Sequence, residues 1–189
     1  MAMTLYNKPP QKAIVRKTWY NTAIADMKTT TEHHSFSMLE SISRADAARL
    51  RALAAQLSPD ARFDARALAR SVEAGTTLVF VIRRRSRIVA SATAVRFSTP
   101  TGEHCRIEDV VVDGALRGGG LGRVLMTATL DALRAMKIQH VELTSRPSRV
   151  AATSLYRSLG FTLRETCVYE LRLPRPCRGS VCSSGQTRP

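Results

Sequence analysis

A glycine-rich turn, Arg117-Gly118-Gly119-Gly120-Leu121-Gly122, has the residue types and spacing to bind a phosphate group. It lies between an apolar β-type run, 107–112, and a helical pattern, 121–136. A helix start leaves backbone N–H groups without an intrahelical acceptor, and the helix dipole adds partial positive charge there. Glycines let the backbone approach a ligand without a Cβ in between. The turn therefore predicts a site for a phosphate or pyrophosphate.

Two common nucleotide-binding motifs do not fit this turn. A P-loop requires Lys and then Ser or Thr after its last glycine, whereas Gly122 is followed by Arg123 and Val124. A dinucleotide fingerprint requires the spacing Gly-x-Gly-x-x-Gly with an acidic residue about 20 positions later. The run 118–122 does not provide that spacing.

A third pattern does match. Arg117-x-x-Gly120-x-Gly122 after a strand resembles the pyrophosphate loop of the GNAT superfamily of N-acetyltransferases. Downstream, Ala152-x-x-Leu155-Tyr156-x-x-x-Gly160-Phe161 resembles the last helix of that family and its end. The two motifs occur in the family's order and spacing, and the resemblance covers residues 40–173. The run 107–112 also resembles the same strand in glucosamine-6-phosphate N-acetyltransferases, a subgroup of the family.

The resemblance implies that acetyl-CoA is the co-substrate and that no metal takes part. The acetyl-CoA would lie in a cleft where the strand 107–112 separates from the strand 140–144, and the acceptor would be a primary amine of a small molecule or a protein. The backbone of Val110, Val111 and Val112 would pair with the pantetheine arm as an added strand does. The pyrophosphate would be held by the backbone amides of Gly118, Gly119, Gly120, Leu121, Gly122 and Arg123. Arg117 would either contact a phosphate or brace the loop.

Two residues are candidates for proton transfer. By resemblance, Tyr156 is the acid that protonates the leaving thiolate, and the alternative is a tyrosine that only packs between helix and sheet. Glu108 is the candidate base, because period-2 alternation puts Glu108 and Asp109 on opposite faces of the strand, so that one of them faces the cleft. The alternative is that these carboxylates merely pair with arginines such as Arg106.

Several other residues have either no assigned role or a role with more than one interpretation. Arg149 stands where the family often has Asn, and the basic stretch 144–149 would meet a CoA phosphate, an anionic acceptor or only solvent. Cys105 and Cys167 are expected to be small apolar residues in strands rather than nucleophiles. His104 and His140 flank predicted strands and receive no role.

The surrounding pattern predicts one domain with helices on both faces of a mixed sheet, in the order α-α-β-β-β-α-β-α-β. Helices are expected over 44–57, where Ser43 and Asp46 suggest a capping box, and over 61–74, 121–137 and 148–159. Strands are expected over 77–82, 88–97, 105–112 and 140–143, with a closing strand or hairpin arm over 161–173. The fold class is therefore α+β or mixed α/β.

Composition and charge indicate the domain boundaries, the location and the kinds of partner that the sequence allows. The formal charge of the 189 residues is +14, spread along the chain apart from the cluster 83–87. We expect disordered extensions at 1–37 and 174–189 around a domain at 38–173, and a cytoplasmic protein, since neither a long apolar run nor a secretory pattern occurs. The charge alone does not predict a nucleic-acid site, because no reader motif accompanies it.

Two alternative functions and the oligomeric state stay open at this stage. A basic module that binds nucleic acid or protein without catalysis would use the same fold, and so would an acyl-CoA-binding regulator that lacks turnover. Dimers occur among proteins of the resembled family, so a homodimer is also compatible with the sequence.

Overall fold

A computed structural model describes residues 34–58, 62–171 and 173, and within them five strands and four α-helices follow one another. The strands are β1 (His34–Leu39), β2 (Thr77–Arg84), β3 (Arg87–Thr99), β4 (Gly102–Val112) and β5 (His140–Leu143). The helices are α1 (Arg44–Ala54), α2 (Ala65–Glu73), α3 (Leu121–Ala135) and α4 (Val150–Ser158). A short 3-10 turn, Gly114–Leu116, follows β4.

The strands form one mixed sheet in the order β1-β2-β3-β4-β5. Strands β1 to β4 are antiparallel to their neighbours, whereas β5 is parallel to β4. A parallel pair needs a crossover connection, and α3 supplies it. The predicted mixed α/β fold is confirmed.

The central strand β2 separates two apolar cores, because its side chains are buried on both faces. Phe80 and Ile82 enter the core below α3, and Val79 and Val81 enter the core below α1 and α2. The predicted placement of helices on both faces follows from this pattern and is confirmed. No helix in the described part of the chain has the length and apolar character that crossing a membrane requires.

The two front helices begin at capping residues. Ser43 accepts a hydrogen bond from the Asp46 amide at 3.0 Å, which is the capping contact predicted for α1. The second helix begins later than the predicted residue 61, because Asp64 accepts hydrogen bonds from the amides of Arg66 and Ala67 at 2.9 Å. This cap fixes the start of α2 at residue 65, and residue 61 itself lies outside the described residues.

Strand β1 is a correction to the predicted element order. The prediction places residues 34–37 in a disordered extension, yet they pair antiparallel with β2, and Phe36 stacks on Phe80 with ring centroids 5.8 Å apart. The order among the described residues is therefore β-α-α-β-β-β-α-β-α. Residues 1–33 and 174–189, the remainder of the predicted extensions, lie outside the described residues.

The predicted closing strand over 161–173 is also corrected. Residues 161–171 have no regular secondary structure, and Leu163, Val168, Tyr169 and Leu171 are all at least 80% exposed. The apolar residues alternate as in a strand, but alternation indicates only that a segment is able to pair. In this structure the segment passes close to β5, with Arg164 3.7 Å from the Glu142 carboxylate, and forms no strand with it.

A half-buried ion pair connects α1 to the end of β4. Arg49 donates a hydrogen bond through Nε to the Ile88 carbonyl at 2.6 Å, and its Nη2 contacts the Asp113 carboxylate. Asp113 in turn accepts from the Ala115 amide and caps the 3-10 turn. The pair therefore fixes the chain just before the glycine-rich turn relative to the front helices.

Candidate active site

A β-bulge in β4 shapes the site. Asp109 has φ +50°, and the register with β3 shifts between Ser91 and Thr93, so that Thr93 lies opposite Glu108 and Ser91 lies opposite Val111. A bulge of this kind bends its strand and increases the local twist. Strand β4 therefore changes direction immediately after Glu108.

Strand β5 pairs with β4 only as far as the bulge. Their four register pairs run from His104–His140 to Ile107–Leu143, whereas β4 continues to residue 112 paired only with β3. On the side of β5, the backbone of Val110 to Val112 thus has no strand partner among the described residues. This separation of the two strands is the cleft expected from the sequence.

The glycine-rich turn follows β4 and starts α3. Gly118 and Gly120 have φ +84° and +79°, a left-handed conformation that residues with a Cβ rarely adopt. Gly120 is the N-cap of α3 and has no side chain to cap the first amides. The Arg123 amide bonds to the Gly120 carbonyl at 3.0 Å, whereas the amides of Leu121 and Gly122 come before the first hydrogen bonds of the helix and are available to an anion, which the helix dipole also favours.

Helix α4 forms the opposite wall. Its Leu155 approaches the start of α3 closely, because a Cβ built on Gly122 would lie 3.5 Å from Leu155 Cδ2. The Arg123 guanidinium donates a hydrogen bond to the Ser158 hydroxyl at 2.9 Å and holds the same helix farther along. At the start of α4, Arg149 donates to the Leu57 carbonyl at 3.1 Å, which joins α4 to the loop after α1.

These walls enclose a groove of about 740 Å³. The sequence-predicted residues that line it are Val110, Val111, Val112, Arg117, Gly118, Gly120, Leu121, Gly122, Arg123 and Tyr156. Gly119 and Glu108, which are also predicted site residues, do not line it. Among the described residues, the charged members of the lining are three arginines, at 117, 123 and 149, and none is a carboxylate. The groove therefore favours an extended anionic ligand.

Tyr156 lies in the groove with its ring edge-on to Phe161, at a centroid distance of 6.0 Å. Burial raises the pKa of its hydroxyl above the ordinary value, and the nearby Arg149 guanidinium opposes that rise. The hydroxyl is consequently protonated at neutral pH and able to donate a proton. The ring also packs on Phe161, as the alternative interpretation expected, and the role of the hydroxyl as an acid stays a prediction.

Glu108 lies on the other face of the sheet from α3. It is opposite Thr93, whereas its neighbour Ile107 is buried in the α3 core. Burial, followed by the charge of Asp109, raises the pKa of the Glu108 carboxyl. Asp109 is exposed at the bulge, so the two carboxylates differ in burial. Arg106 forms its ion pair with Glu142 rather than with either of them.

Sequence reasoning missed part of the groove rim. Gln56 and Leu57, which follow α1, both line the groove, and the Gln56 side chain accepts a hydrogen bond from the Gly114 amide at 2.8 Å. The partners are 58 positions apart, and no local pattern signals such a contact. Arg117 donates from Nε to the Val112 carbonyl at 3.1 Å, which is the bracing contact considered for it.

The two described cysteines are not placed for nucleophilic catalysis. Burial raises the pKa of Cys105 to about 11, although Arg96 nearby lowers it in part, so the thiol stays protonated. Its prediction as a buried, apolar-like strand residue is confirmed. Cys167 was expected in a strand as well, but it is exposed in the irregular segment after α4.

Two separating strands, a glycine turn at a helix start and a groove with arginines in its lining form an arrangement that suits an extended, phosphate-bearing ligand. The chain belongs to the acetyltransferase (GNAT) family, whose model matches residues 39–161. The family resemblance stated from the two sequence motifs is confirmed by this match.

Solved structures of acetyltransferases share the fold. An aminoglycoside acetyltransferase from an uncultured soil metagenomic sample superposes with a TM-score of 0.65 and 20% identity, over 75% of this chain and 97% of that one. A glucosamine-6-phosphate N-acetyltransferase from Arabidopsis thaliana gives a TM-score of 0.60 and 21% identity, over 74% and 99% of the two chains. At these identities the likeness shows the fold alone.

One curated relative is similar over a short stretch. A mycothiol acetyltransferase of Streptosporangium roseum is 51% identical over 53 residues, which are 28% of this chain. The match spans about a sixth of the relative's own length, since it covers 16% of that protein.

Two neighbouring glycines of the turn should respond oppositely to alanine. Gly120→Ala places a Cβ at φ +79° and should lower the free energy of unfolding by about 1–2 kcal/mol. Gly122→Ala lies in the first turn of α3 and meets only ordinary contacts, so it should raise that free energy by about 0.5–1 kcal/mol. Urea denaturation measures both, and equal effects of the two variants would contradict the left-handed conformation at position 120.

Proposed function

We propose that this protein is an acetyl-CoA-dependent N-acetyltransferase that transfers the acetyl group directly to a primary amine. The observation that carries the proposal is that β4 separates from β5 next to the glycine-rich turn at which α3 begins. Family membership supports the same donor, because acetyl-CoA is the co-substrate that the GNAT resemblance implies. The groove fits that molecule in charge, since the charged lining residues in the described part of the chain are arginines.

Each part of the donor has candidate partners in the groove. The unpartnered backbone of Val110 to Val112 would pair with the amides of the pantetheine arm. The amides of the turn and of the first turn of α3, residues 118–123, would hold the pyrophosphate. The guanidinium groups of Arg123 and Arg117 would add fixed positive charge. Arg117 would bind through the N–H groups that its bond to the Val112 carbonyl does not use.

The reaction needs two proton transfers. The amine nitrogen attacks the thioester carbon, the C–S bond breaks, and the sulfur leaves as a thiolate. An alkylamine with a pKa of about 10 is mostly protonated at neutral pH, so a base has to take its proton. Glu108, directly or through a water, is our candidate for that base, and Tyr156 is our candidate for the acid that protonates the thiolate.

The acceptor is proposed to be a small molecule that carries an amino group. The support is the short, 51% identical match to a mycothiol acetyltransferase and the fold shared with an aminoglycoside acetyltransferase. A protein amine is the second acceptor class to test. A cytoplasmic location and a homodimer stay predictions.

Calorimetric titration of the purified chain with acetyl-CoA tests the donor. We expect binding in the micromolar range, followed by thiol release when an aminoglycoside or another small amine is added. Binding without turnover on any amine would support the acyl-CoA-binding regulator. If acetyl-CoA does not bind at millimolar concentration, the enzyme proposal is wrong, and salt-dependent binding to nucleic acid would be measured next.

Tyr156→Phe removes the proposed acid but keeps the ring that packs on Phe161. The turnover number should fall by about 100-fold, because general acid catalysis contributes on this order, while the affinity for acetyl-CoA changes little. The matched control is Tyr169→Phe, since Tyr169 is 91% exposed outside the groove. Steady-state kinetics decide the question, and unchanged turnover in Tyr156→Phe would remove this residue from the mechanism.

The base proposal predicts a pH dependence. A base acts only when deprotonated, and burial raises the pKa of Glu108 above the ordinary glutamate value. Activity should therefore fall as the pH drops through that raised pKa. In Glu108→Gln the acidic limb of the profile should disappear and the remaining activity should be low. Asp109→Asn, a change at the exposed neighbour, should keep the limb, and a profile of Glu108→Gln that matches the wild type would exclude Glu108.

A further inference from the structure

Two histidines face each other at the end of the sheet away from the groove. His104 on β4 and His140 on β5 are register partners, and their Nδ1 atoms lie 3.0 Å apart. The rings meet edge to face, with centroids 4.9 Å apart and an angle of 78° between the planes. His140 is exposed and His104 is half-buried, so solvent reaches the space beside both nitrogens.

The separation of the two nitrogens suits a metal ion. Zinc–imidazole bonds are about 2.0–2.1 Å long, so two adjacent ligands at angles of 90–110° lie about 2.9–3.4 Å apart. The observed Nδ1–Nδ1 distance of 3.0 Å falls in that range. A cation placed beside the line between the two nitrogens could replace the proton that they share, once each ring turns its lone pair toward it.

The surroundings of His104 resemble the support that metal-binding histidines usually have. Its Nε2 lies 2.9 Å from the Thr99 hydroxyl, and Phe97 stacks on the ring at 5.3 Å between centroids. When Nε2–H donates to that hydroxyl, the lone pair of the ring is left on Nδ1. The ring orientation is thus fixed by neighbouring residues of the β3–β4 hairpin, and the Thr99 hydroxyl is able to accept from the tautomer that leaves Nδ1 free to bind a metal.

Neighbouring charges neither block the site nor complete it. Glu142, two positions beyond His140, forms its ion pair with Arg106 and lies 3.7 Å from Arg164, and Glu103 pairs with Arg96. Among the described residues, no cluster of three or more His, Cys, Asp or Glu side chains could hold a metal. A cation bound by the two histidines would therefore keep water at its other positions.

We infer that His104 and His140 form a two-histidine site for a divalent transition-metal ion, with Nδ1 of each ring as a ligand and water as the remainder. Imidazole ligands suit Zn²⁺, Ni²⁺ and Cu²⁺, and Cu²⁺ should bind most tightly. The site would join β5 to β4 at the closed end of the cleft, where four register pairs hold β5 to the sheet. Its occupancy is independent of the proposed acetyl transfer.

The test is titration of the full chain with Ni²⁺, monitored by calorimetry in a buffer that does not bind metals. Cys167, Cys177 and Cys182 are first changed to Ser, so that exposed or tail thiols do not compete. We expect one Ni²⁺ per chain with micromolar affinity. Either His104→Asn or His140→Asn should weaken binding at least tenfold, while the double variant His33→Asn/His34→Asn should bind as before.

Two further measurements separate ligation from a general effect on the fold. Thr99→Val should weaken binding about tenfold by removing the support of His104, and circular dichroism checks that each variant stays folded. With Cu²⁺, electron paramagnetic resonance should show two nitrogen ligands, and His140→Asn should leave one. The inference is wrong if the His104 and His140 variants bind Ni²⁺ as the parent does, or if the parent shows no saturable binding at millimolar Ni²⁺.

Discussion

The left-handed conformation of Asp109 is the constraint on which the groove depends. A residue with a Cβ at φ +50° costs about 1–2 kcal/mol, although aspartate tolerates this region better than most residues. The register with β3 resumes at Val111, so pairing on both sides of the bulge holds the conformation in place. Because β4 bends there, β5 ends its pairing at Leu143, and the backbone beyond Glu108 becomes available. Without the bulge, β5 could continue beside β4 and close the space in which a ligand would lie.

The groove arginines and the Glu108 carboxylate lie on opposite faces of the sheet. The groove on the α3 side is lined by arginines and by the positive end of a helix dipole, whereas Glu108 and Glu142 belong to the opposite face, where Arg106 pairs with Glu142. Under the proposed function, an anionic donor and a protonated amine would approach from two sides of the same pair of strands and meet at the opening between β4 and β5. This arrangement would keep Glu108, the proposed base, apart from the arginines proposed to hold phosphate.

Sequence patterns over a few neighbouring residues predicted most helices and strands. The features that they missed depend on contacts between residues far apart in the chain. The Ser43 cap, the glycine turn and the period of α3 depend on residues a few positions apart, and all are confirmed. Period-2 alternation predicted that Glu108 and Asp109 lie on opposite faces of the strand, but it carries no information about the bulge at Asp109. The short strand β1 alternates Phe36 and Met38 with polar residues too briefly to be recognised without its partner β2. The closing segment 161–171 shows the converse, because it has the pattern of a strand and no strand forms.

Hydrogen bonds between side chains and backbone groups hold the walls of the groove together. Arg117 braces the turn against Val112, Gln56 holds the amide of Gly114, and Arg149 joins α4 to Leu57. Each contact ties a different wall to its neighbour, and none of them uses the amides of Gly118 to Gly122. A ligand would consequently have little backbone to order on binding, and most of its interaction energy would appear as affinity. Arg149 stands where the family often has asparagine, and its guanidinium is the group that makes the contact between α4 and the loop after α1.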